Sequence, residues 1–255
     1  MKKFTGLAGA GGRDVSQTVI LHRQKLILGK KAVDDCEQEI KRFEKVRCEY
    51  AGELEELYRT ALADAGEKTA GIFKAYRTIV EDDFLFKNPI QTVREEHIGI
   101  DYAIEQEKEK ISAKFASMSD AYMQERSNDI RNVCDEVIRR LNGVAGTGQE
   151  TQNMREPFIL VAEDLSPEDT IRIDKRFLRG FITEKGGITS HVVILAKTLG
   201  IPAVVGAAGI MREARSGQTI FIDGDCGYGI LEPDEAFVSD FLKEKAGIDE
   251  RKKLY

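Results

Sequence analysis

The stretch that decides the interpretation of this chain runs from residue 180 to residue 206 and reads GFITEKGGITSHVVILAKTLGIPAVVG. A β-branched and aromatic start is followed by two adjacent glycines, a Thr-Ser-His run and an apolar segment that ends at Gly200. This order predicts a strand over 178–183, a glycine turn, a short helix over 192–199 and a further strand from Ala203. A glycine that closes a helix shortly before a proline is typical of such a connection. The segment therefore predicts an α/β layer.

The turn itself has the composition of an anion site. Gly186 and Gly187 let backbone N–H groups approach a ligand closely, and the start of the following helix adds unused donors and a positive dipole end. That positive end disfavours the imidazolium form of His191, whose ordinary pKa is about 6.5. A neutral imidazole is a nucleophile, and the hydroxyls of Thr189 and Ser190 lie beside it in sequence. The pattern fits a histidine that accepts a phosphoryl group.

Three other interpretations of the turn exist, and the first of them stays open on the residues alone. Glycine turns before helices are common, so the residues alone also fit a histidine that only caps a strand-to-helix turn. A serine nucleophile is disfavoured, because Ser190 and His191 are neighbours on a helix and do not face each other. A metal site is disfavoured as well, because His22 and His97 have no companions at ligand spacing.

Composition bounds the class of protein. The chain has 255 residues, of which 42% are hydrophobic and 32% charged, which is enough apolar material for a folded core. The net charge of -6 disfavours nucleic acid and anionic membranes as partners. No apolar run approaches the roughly 20 residues that cross a bilayer, so we expect no membrane insertion and a cytoplasmic location. The four cysteines show no metal or disulfide spacing and are expected to be reduced.

The chain divides into two kinds of sequence. Residues 33–143 are poor in glycine and proline, and four amphipathic helices are predicted there. The first is long, with a heptad pattern broken only at Arg47. The second carries an apolar stripe over 72–80, the third opens at Asn88-Pro89 and extends to Phe115, and the fourth opens at Ser119-Asp120 and ends at Asn142-Gly143.

The second kind of sequence predicts strands and short helices. A strand at Thr18–Leu21 has no partner nearby in sequence, so we expect it to join the later sheet, which makes the helical block an insertion. Ser166-Pro167 is expected to open a short helix. The predicted domains are 1–32 with 144–232, then 33–143, then an exit helix or linker over 233–255. The remaining predicted strands are 158–162, 178–183, 203–206, 219–223 and 229–232.

These residues resemble a known family. The stretch 180–206, together with the upstream run 164–170, DLSPEDT, closely resembles the phosphohistidine domain of the phosphoenolpyruvate-utilising enzymes. The helical block resembles the Enzyme I group of the bacterial phosphoenolpyruvate:sugar phosphotransferase system, whose patterns I-F-x-x-H-x-x-x-x-x-D and Y-x-x-E-R-x-x-D-[IV]-x-D are similar to residues 72–82 and 122–132. The resemblance is to the N-terminal half of that group. It implies an α/β swivelling phosphohistidine domain with an inserted all-α four-helix subdomain.

The resemblance also implies roles for individual residues. His191 would be phosphorylated on Nε2, and Thr170 would be the hydroxyl partner of the other ring nitrogen. Gly186, Gly187, Thr189 and Ser190 would line the phosphoryl site. The reaction implied is a relay of phosphoryl from phosphoenolpyruvate to a histidine of the small phosphocarrier protein HPr, the first step of sugar uptake by that system.

Partners follow from the same resemblance. HPr would bind an exposed acidic and apolar patch on the helical subdomain, and the chain would also contact its own C-terminal phosphoenolpyruvate-binding barrel, which would begin where this sequence ends. The resemblance implies no cofactor or metal within this fragment, because Mg²⁺ is expected in the missing C-terminal domain. It also implies that the full-length protein is a homodimer. The patch would comprise Phe73, Tyr76, Ile79, Asp82, Asp83, Leu85, Arg126 and Asp129.

The sequence departs from the family pattern at four places. The opening Gly6–Arg13 lacks the usual S-P-G, and Ile188 replaces a common arginine. Tyr76 replaces a common histidine, and Asn132 replaces the last aspartate of the second pattern. Two alternatives therefore stay open: an Enzyme I-like domain of a dihydroxyacetone-kinase or nitrogen-regulatory phosphotransfer chain, and a catalytically silent helical interaction module.

Overall fold

A computed structural model describes residues 1–22, 26–117, 121–144, 151, 154–188 and 190–252. Its contacts divide the chain into two units, Met1–Arg23 with Thr147–Tyr255, and Gln24–Gly146. We call them the α/β unit and the helical unit. The predicted domain boundaries, 32/33 and 143/144, differ from the limits of these units and remain predictions. None of the helices within the described ranges is long and apolar enough to cross a membrane.

The α/β unit is built on one eight-stranded sheet with the order β1-β8-β7-β3-β4-β5-β6-β2. As predicted, the strand near the N-terminus joins the later sheet, parallel to β4 and antiparallel to β7. The strands are β1 Lys2–Thr5, β2 Leu7–Ala10, β3 Arg13–Leu21, β4 Phe158–Ala162, β5 Leu178–Thr183, β6 Ala203–Val205, β7 Thr219–Asp223 and β8 Tyr228–Leu231.

The sheet closes on itself at Gly6. The strands β1 and β2 are separated by this one residue, yet they lie at opposite ends of the strand order, β1 on β8 and β2 on β6. The Gly6 amide donates to Gly227 O at 2.9 Å, and a Cβ on Gly6 would lie 2.5 Å from Val205 O. Only glycine permits this approach, so the glycine-rich N-terminus serves closure of the sheet.

Four helices complete the described part of the α/β unit, and two of them frame the turn of interest. Alternation along β4 places Phe158, Leu160 and Ala162 in one apolar cluster, which also contains residues of α6 and α7 or their flanks. The C-terminal helix α9 packs by Phe241 on Phe221, at 5.1 Å between ring centroids. These helices are α6 Pro167–Arg172, α7 His191–Leu199, α8 Ile210–Glu213 and α9 Glu235–Lys252.

The helical unit confirms the inserted all-α subdomain, but its described residues form five helices where the sequence predicts four. The predicted first helix is confirmed, and Arg47, which breaks its heptad pattern, is buried and donates to Val80 O and to Asp83. An arginine therefore occupies a core position because it bonds the carbonyl at the end of α2. The five helices are α1 Cys36–Ala65, α2 Glu67–Val80, α3 Asp83–Glu96, α4 Ile100–Ala116 and α5 Ala121–Leu141.

The prediction for the third helix was wrong at its start and in its extent. Asp82 caps α3 by accepting from Phe84 N at 2.8 Å, so the helix begins before Asn88-Pro89, and Pro89 lies inside it. It ends at Glu96, and the C-cap residue His97 has a left-handed φ of 52°. Residues 31–33 interrupt the helical segment there, because Val33 N donates to His97 O and Gly99 N to Lys31 O. The predicted cap at Ser119-Asp120 lies outside the described residues.

Candidate phosphoryl site

The turn between β5 and α7 is held by backbone bonds to the loop after β4. Glu184 N donates to Ala162 O at 2.9 Å, and Lys185 N donates to Glu163 O at 2.8 Å. The buried Thr183 hydroxyl donates to Lys185 O at 2.6 Å. Because both loops continue parallel neighbouring strands, their residues meet at the same end of the strands.

Gly186 has a φ of 96°, a left-handed conformation that favours glycine. A Cβ built on it would lie 3.8 Å from Thr183 Oγ1, 3.9 Å from Asp164 Oδ1 and 3.9 Å from Ser190 Cβ. A Cβ on Gly187 would meet no atom of the described residues within 4 Å. The side chains of Thr183, Asp164 and Ser190 therefore lie around Gly186, and the described residues leave open space beside Gly187.

Ser190 occupies the N-cap position of α7, but its side chain makes no capping hydrogen bond. Its Oγ is buried and has no hydrogen-bond partner in the described structure. An unsatisfied buried hydroxyl costs about 1–3 kcal/mol, and such groups in native proteins are rare. A ligand that accepts or donates at this hydroxyl would remove the cost, so Ser190 fits the site predicted from the sequence.

His191 is the first residue of α7 and is partly exposed. The helix is anchored by four buried apolar residues that include Val192 and Val193. Within the turn, Val193 N and Ile194 N both donate to Ser190 O, at 3.1 and 3.2 Å. The amides that precede them are not used by the helix itself, as at any helix N-terminus. Burial of one face of α7 thus fixes the backbone of His191 at the end of the helix that favours anions.

Thr170 lies in α6, which packs against α7. Ser166 caps α6 in the predicted manner: its Oγ accepts from Asp169 N at 3.2 Å, and Asp169 bonds back to Ser166 N. The buried Thr170 hydroxyl donates to Pro167 O at 2.6 Å. Its own proton is thus committed to the backbone, and its oxygen is left to act as an acceptor.

Charged groups surround the turn. Lys185 Nζ pairs with Glu163 at 2.9 Å, and this hydrogen bond raises the pKa of Lys185, with Asp164 and Glu184 adding to the effect. Asp164 Oδ1 accepts from Leu165 N at 2.8 Å. Glu184 Oε2 accepts from Met211 N at 3.0 Å. Three carboxylates and one ammonium group therefore lie around a turn suited to an anion.

The structure brings most of the predicted phosphoryl-site residues together. Gly186, Gly187, Ser190 and His191 share one turn, whereas Thr189 lies outside the described residues. Thr170 is on the adjacent helix, and its predicted bond to the His191 ring stays a prediction. Asp164, Thr183 and Lys185 lie in the quoted stretches, but no role was predicted for them. Contacts between loops of neighbouring strands have no signal in a single sequence.

The predicted partner patch was wrong at its two aromatic residues. Phe73 is 1% exposed and Tyr76 is fully buried, because both face the core that α2 shares with α1 and α5. Tyr76 OH instead accepts from Asn132 Nδ2 at 2.8 Å. The two departures from the family pattern in the helical block are therefore in contact, and a neutral hydrogen bond joins α2 to α5.

The rest of the patch is only partly as predicted. Asp82 and Asp83 are exposed, and Ile79 and Leu85 are partly exposed. Asp129 is 7% exposed, which contradicts an exposed carboxylate at this position, and it pairs with Arg126 at 3.1 Å. The pairing with Arg126 explains how the carboxylate of Asp129 is buried without an isolated charge.

The most exposed aromatic side chain of the described helical unit was not among the predicted patch residues. Phe84 is 81% exposed, at the start of α3. The inward residues of α3 are Phe86, Pro89 and Val93, a helical spacing that places residue 84 on the outer face. Phe84 borders a groove of about 710 Å³. The groove is lined by Glu44, Arg47, Asp83, Phe84, Lys87, Ile90, Gln91 and Arg94.

Comparison with protein families gives two matches along the chain. Residues 5–126 match the family described as "PEP-utilising enzyme, N-terminal", and residues 154–227 match "PEP-utilising enzyme, mobile domain". The first match includes most of the helical unit. The second includes the turn that carries His191.

Individual relatives agree with these matches. A phosphoenolpyruvate-protein phosphotransferase of Bacillus sp. (strain S) is 32% identical over 252 residues, which are 98% of this chain and 43% of the relative. One of Bacillus subtilis (strain 168) is 32% identical over 94% of this chain and 42% of the relative. The chain thus spans less than half the length of these relatives.

Two solved structures share the fold. An NMR solution structure of Enzyme I is 29% identical, with a TM-score of 0.80, and the alignment covers 96% of this chain and 99% of that one. The structure titled "N-terminal domain of Enzyme 1 - Nitrogen" is 23% identical, with a TM-score of 0.59 over 95% of this chain and 99% of that one. At that identity, the second likeness bears on the fold alone.

Proposed function

Because the chain belongs to the phosphoenolpyruvate-utilising enzymes, as the N-terminal half of an Enzyme I, we propose that His191 relays a phosphoryl group from phosphoenolpyruvate to a histidine of an HPr-like phosphocarrier. The observation that carries this proposal is the buried Ser190 hydroxyl, which has no hydrogen-bond partner among the described residues, in a glycine turn directly before His191. A turn that only capped a helix would use that hydroxyl as the cap.

The chemistry needs a ring nitrogen with a free electron pair. Thr170 donates its own proton to Pro167 O, so toward His191 it can only accept. A ring N–H directed at Thr170 would leave Nε2 unprotonated and nucleophilic. Nε2 then attacks phosphorus, a P–N bond forms, and the bond from phosphorus to the leaving oxygen of phosphoenolpyruvate breaks. In the second transfer, the carrier nitrogen attacks and the P–N bond to His191 breaks.

The turn supplies the groups that hold the transferred oxygens. Ser190 Oγ can donate one hydrogen bond, and the glycine amides of residues 186 and 187 together with the α7 dipole favour negative charge at the same place. These donors are fixed by the backbone before the reaction. Little reorganisation is then needed when the phosphoryl group arrives.

We assign carrier binding to the helical unit. The candidate contacts are the exposed or partly exposed side chains at the α2–α3 junction, Ile79, Asp82, Asp83 and Leu85, together with Arg126. Acidic and apolar groups at this junction suit a carrier with a basic, partly apolar face. Phe84, between the two aspartates and Leu85, belongs to the same surface.

The remaining parts of the reaction lie in the stretch of the relatives that this chain does not cover. We assign the phosphoenolpyruvate site, its Mg²⁺ and the dimer contact to that C-terminal part. We also propose that the whole protein is located in the cytoplasm. We therefore expect the 255 residues alone to exchange phosphoryl with a phosphorylated carrier but not to accept it from phosphoenolpyruvate.

The test incubates the chain with phosphorylated HPr or with ³²P-phosphoenolpyruvate, and measures acid-labile phosphate. One phosphate per chain is expected from phospho-HPr and none from phosphoenolpyruvate. His191→Ala should lose this label completely, whereas His22→Ala, a matched change at an exposed histidine, should keep it. Labelling that survives in His191→Ala would overturn the proposal. Failure of every HPr-like carrier, including those of nitrogen-regulatory and dihydroxyacetone-kinase chains, would favour a silent interaction module.

A further inference from the structure

A phosphoryl group at this turn would meet unfavourable charge. A phosphate ester carries roughly -1.5 to -2 charges near neutral pH, and a phosphoryl group on nitrogen is similarly anionic. Glu163, Asp164 and Glu184 all lie at the turn, and Asp164 Oδ1 is 3.9 Å from a Cβ placed on Gly186. Carboxylates this close to the turn would repel a phosphoryl group bound there, and a nearby cation would offset the repulsion.

Lys185 is the cation that the turn provides. Of residues 184–190, it alone carries a positive charge, and Ile188, although 57% exposed, carries none. The Lys185 side chain is 64% exposed and pairs with Glu163, which is 33% exposed. An ion pair so close to solvent is weak, on the order of 0–1 kcal/mol, and can be exchanged for a better partner.

The ammonium group can reach the phosphoryl site without movement of the backbone. Lys185 adjoins Gly186, and the Gly186 Cβ position lies 3.9 Å from Ser190 Cβ. With about 3.8 Å between consecutive Cα atoms, the Cα of Lys185 lies within roughly 9 Å of Ser190 Cβ. A lysine stem spans roughly 6 Å and a charge-assisted hydrogen bond adds about 2.8 Å. Oxygens held beside Ser190 therefore fall within its range.

We propose that Lys185 leaves Glu163 and pairs with the phosphoryl group when His191 is phosphorylated. This inference rests on the proposed function. Glu163 stores the ammonium group in the unphosphorylated protein, and the incoming anion replaces it as the partner. Lys185 is then a phosphoryl-binding residue of the reaction, and it offsets the repulsion from Asp164.

The experiment measures the equilibrium constant for phosphoryl transfer from phospho-HPr to the chain, at low and high salt. For Lys185→Met we expect a fall of about tenfold at low salt, the lower end for a hydrogen bond to a charged group, and a weaker salt dependence. Lys185→Arg should stay within about threefold, because it keeps the charge. Lys197→Met, which removes an exposed charge from the last turn of α7, should match the wild type.

A second variant and a second donor keep the outcomes separate. Glu163→Gln removes the ion-pair partner of Lys185 and should raise the equilibrium constant for phosphoryl transfer. If Lys185→Met fails to fold, this variant alone tests the role of Lys185. Phosphoramidate, a small phosphoryl donor, should label Lys185→Met more slowly than wild type, which excludes a defect in carrier binding. A wild-type constant in both Lys185→Met and Glu163→Gln would overturn the role of Lys185 while His191 still carries phosphate. Absence of label on wild-type His191 would instead refute the proposed function, and this inference with it.

Discussion

Replacement of Ser190 by alanine should stabilise the unphosphorylated protein and impair its phosphorylation. A serine at a helix N-cap usually contributes, and its loss costs about 1 kcal/mol. Here the Ser190 hydroxyl makes no capping bond and is buried without a hydrogen-bond partner in the described part of the chain. An unsatisfied buried hydroxyl costs about 1–3 kcal/mol. Ser190→Ala should therefore raise the free energy of unfolding by about 1 kcal/mol and the Tm by about 2–4 °C.

Ser166→Ala is the matched control for this change. Ser166 is also an N-cap serine of the α/β unit, but its Oγ accepts from Asp169 N in a complete capping box. Its loss should lower the free energy of unfolding by about 1 kcal/mol. The two variants thus differ in sign, and because both lie in one unit they report on the same unfolding transition.

The assay is urea unfolding followed by circular dichroism, with and without prior phosphorylation by phospho-HPr. Phosphorylation should stabilise the wild type more than Ser190→Ala, and the transfer equilibrium should fall about tenfold in the variant, since the phosphoryl group loses a charge-assisted bond. Destabilisation of Ser190→Ala by as much as Ser166→Ala would show that Ser190 is an ordinary cap, and the argument from an unpartnered hydroxyl would fail.

Four further outcomes are expected. Tyr76→Phe should lower the free energy of unfolding of the helical unit by about 1 kcal/mol, and a double-mutant cycle with Asn132→Ala should show a coupling of similar size, whereas additivity would contradict the hydrogen bond between them. Lys108 is 6% exposed and bonded to two carboxylates, which raise its pKa. Its contribution to the free energy of unfolding is therefore complete below the ordinary pKa of about 10.4 and is lost as pH rises through the higher pKa of the folded state. The stability difference between Lys108→Met and wild type, expected to be about 2 kcal/mol at pH 8, should shrink above that pH range. Gly6→Ala should lower the Tm of the α/β unit by several degrees in calorimetry, and a wild-type Tm would contradict closure of the sheet at this residue. Burial raises the pKa of the Cys134 thiol to about 12, so iodoacetamide at pH 8 should modify it only after unfolding, as mass spectrometry can show.

Local signals predicted much of the α/β unit. The N-cap Ser166, the first-turn Pro167 and the closing Gly200 each act through a few neighbouring atoms, and the structure places all three as predicted. The limits of β4, β5 and β7 were also as predicted, because β-branched and aromatic runs carry their own preference for the extended conformation. In contrast, β1 and β2 were not predicted, and β3 begins at Arg13, five residues before the predicted start.

Distant contacts explain where the prediction failed. The helix predicted to extend to Phe115 breaks at His97, because residues 31–33 pair with the chain there, and no residue near His97 signals that pairing. Phe73 was assigned to the surface and proved to be core, because the apolar stripe of α2 does not say which neighbour covers it. The outward position of Phe84 was available from the spacing of α3, once its start was known.

The sequence by itself determined which residues form the candidate site and where it lies: a histidine at the start of a helix, preceded by two glycines and a serine, after a buried strand. These features depend on residue type and spacing along a few consecutive positions. Only the tertiary structure decided that Ser190 lacks a partner, that Lys185 and Asp164 share its turn, and that Gly6 closes the sheet. Each of these depends on which distant segments pack together, and packing is settled by the sum of many weak contacts that no single stretch of the chain encodes.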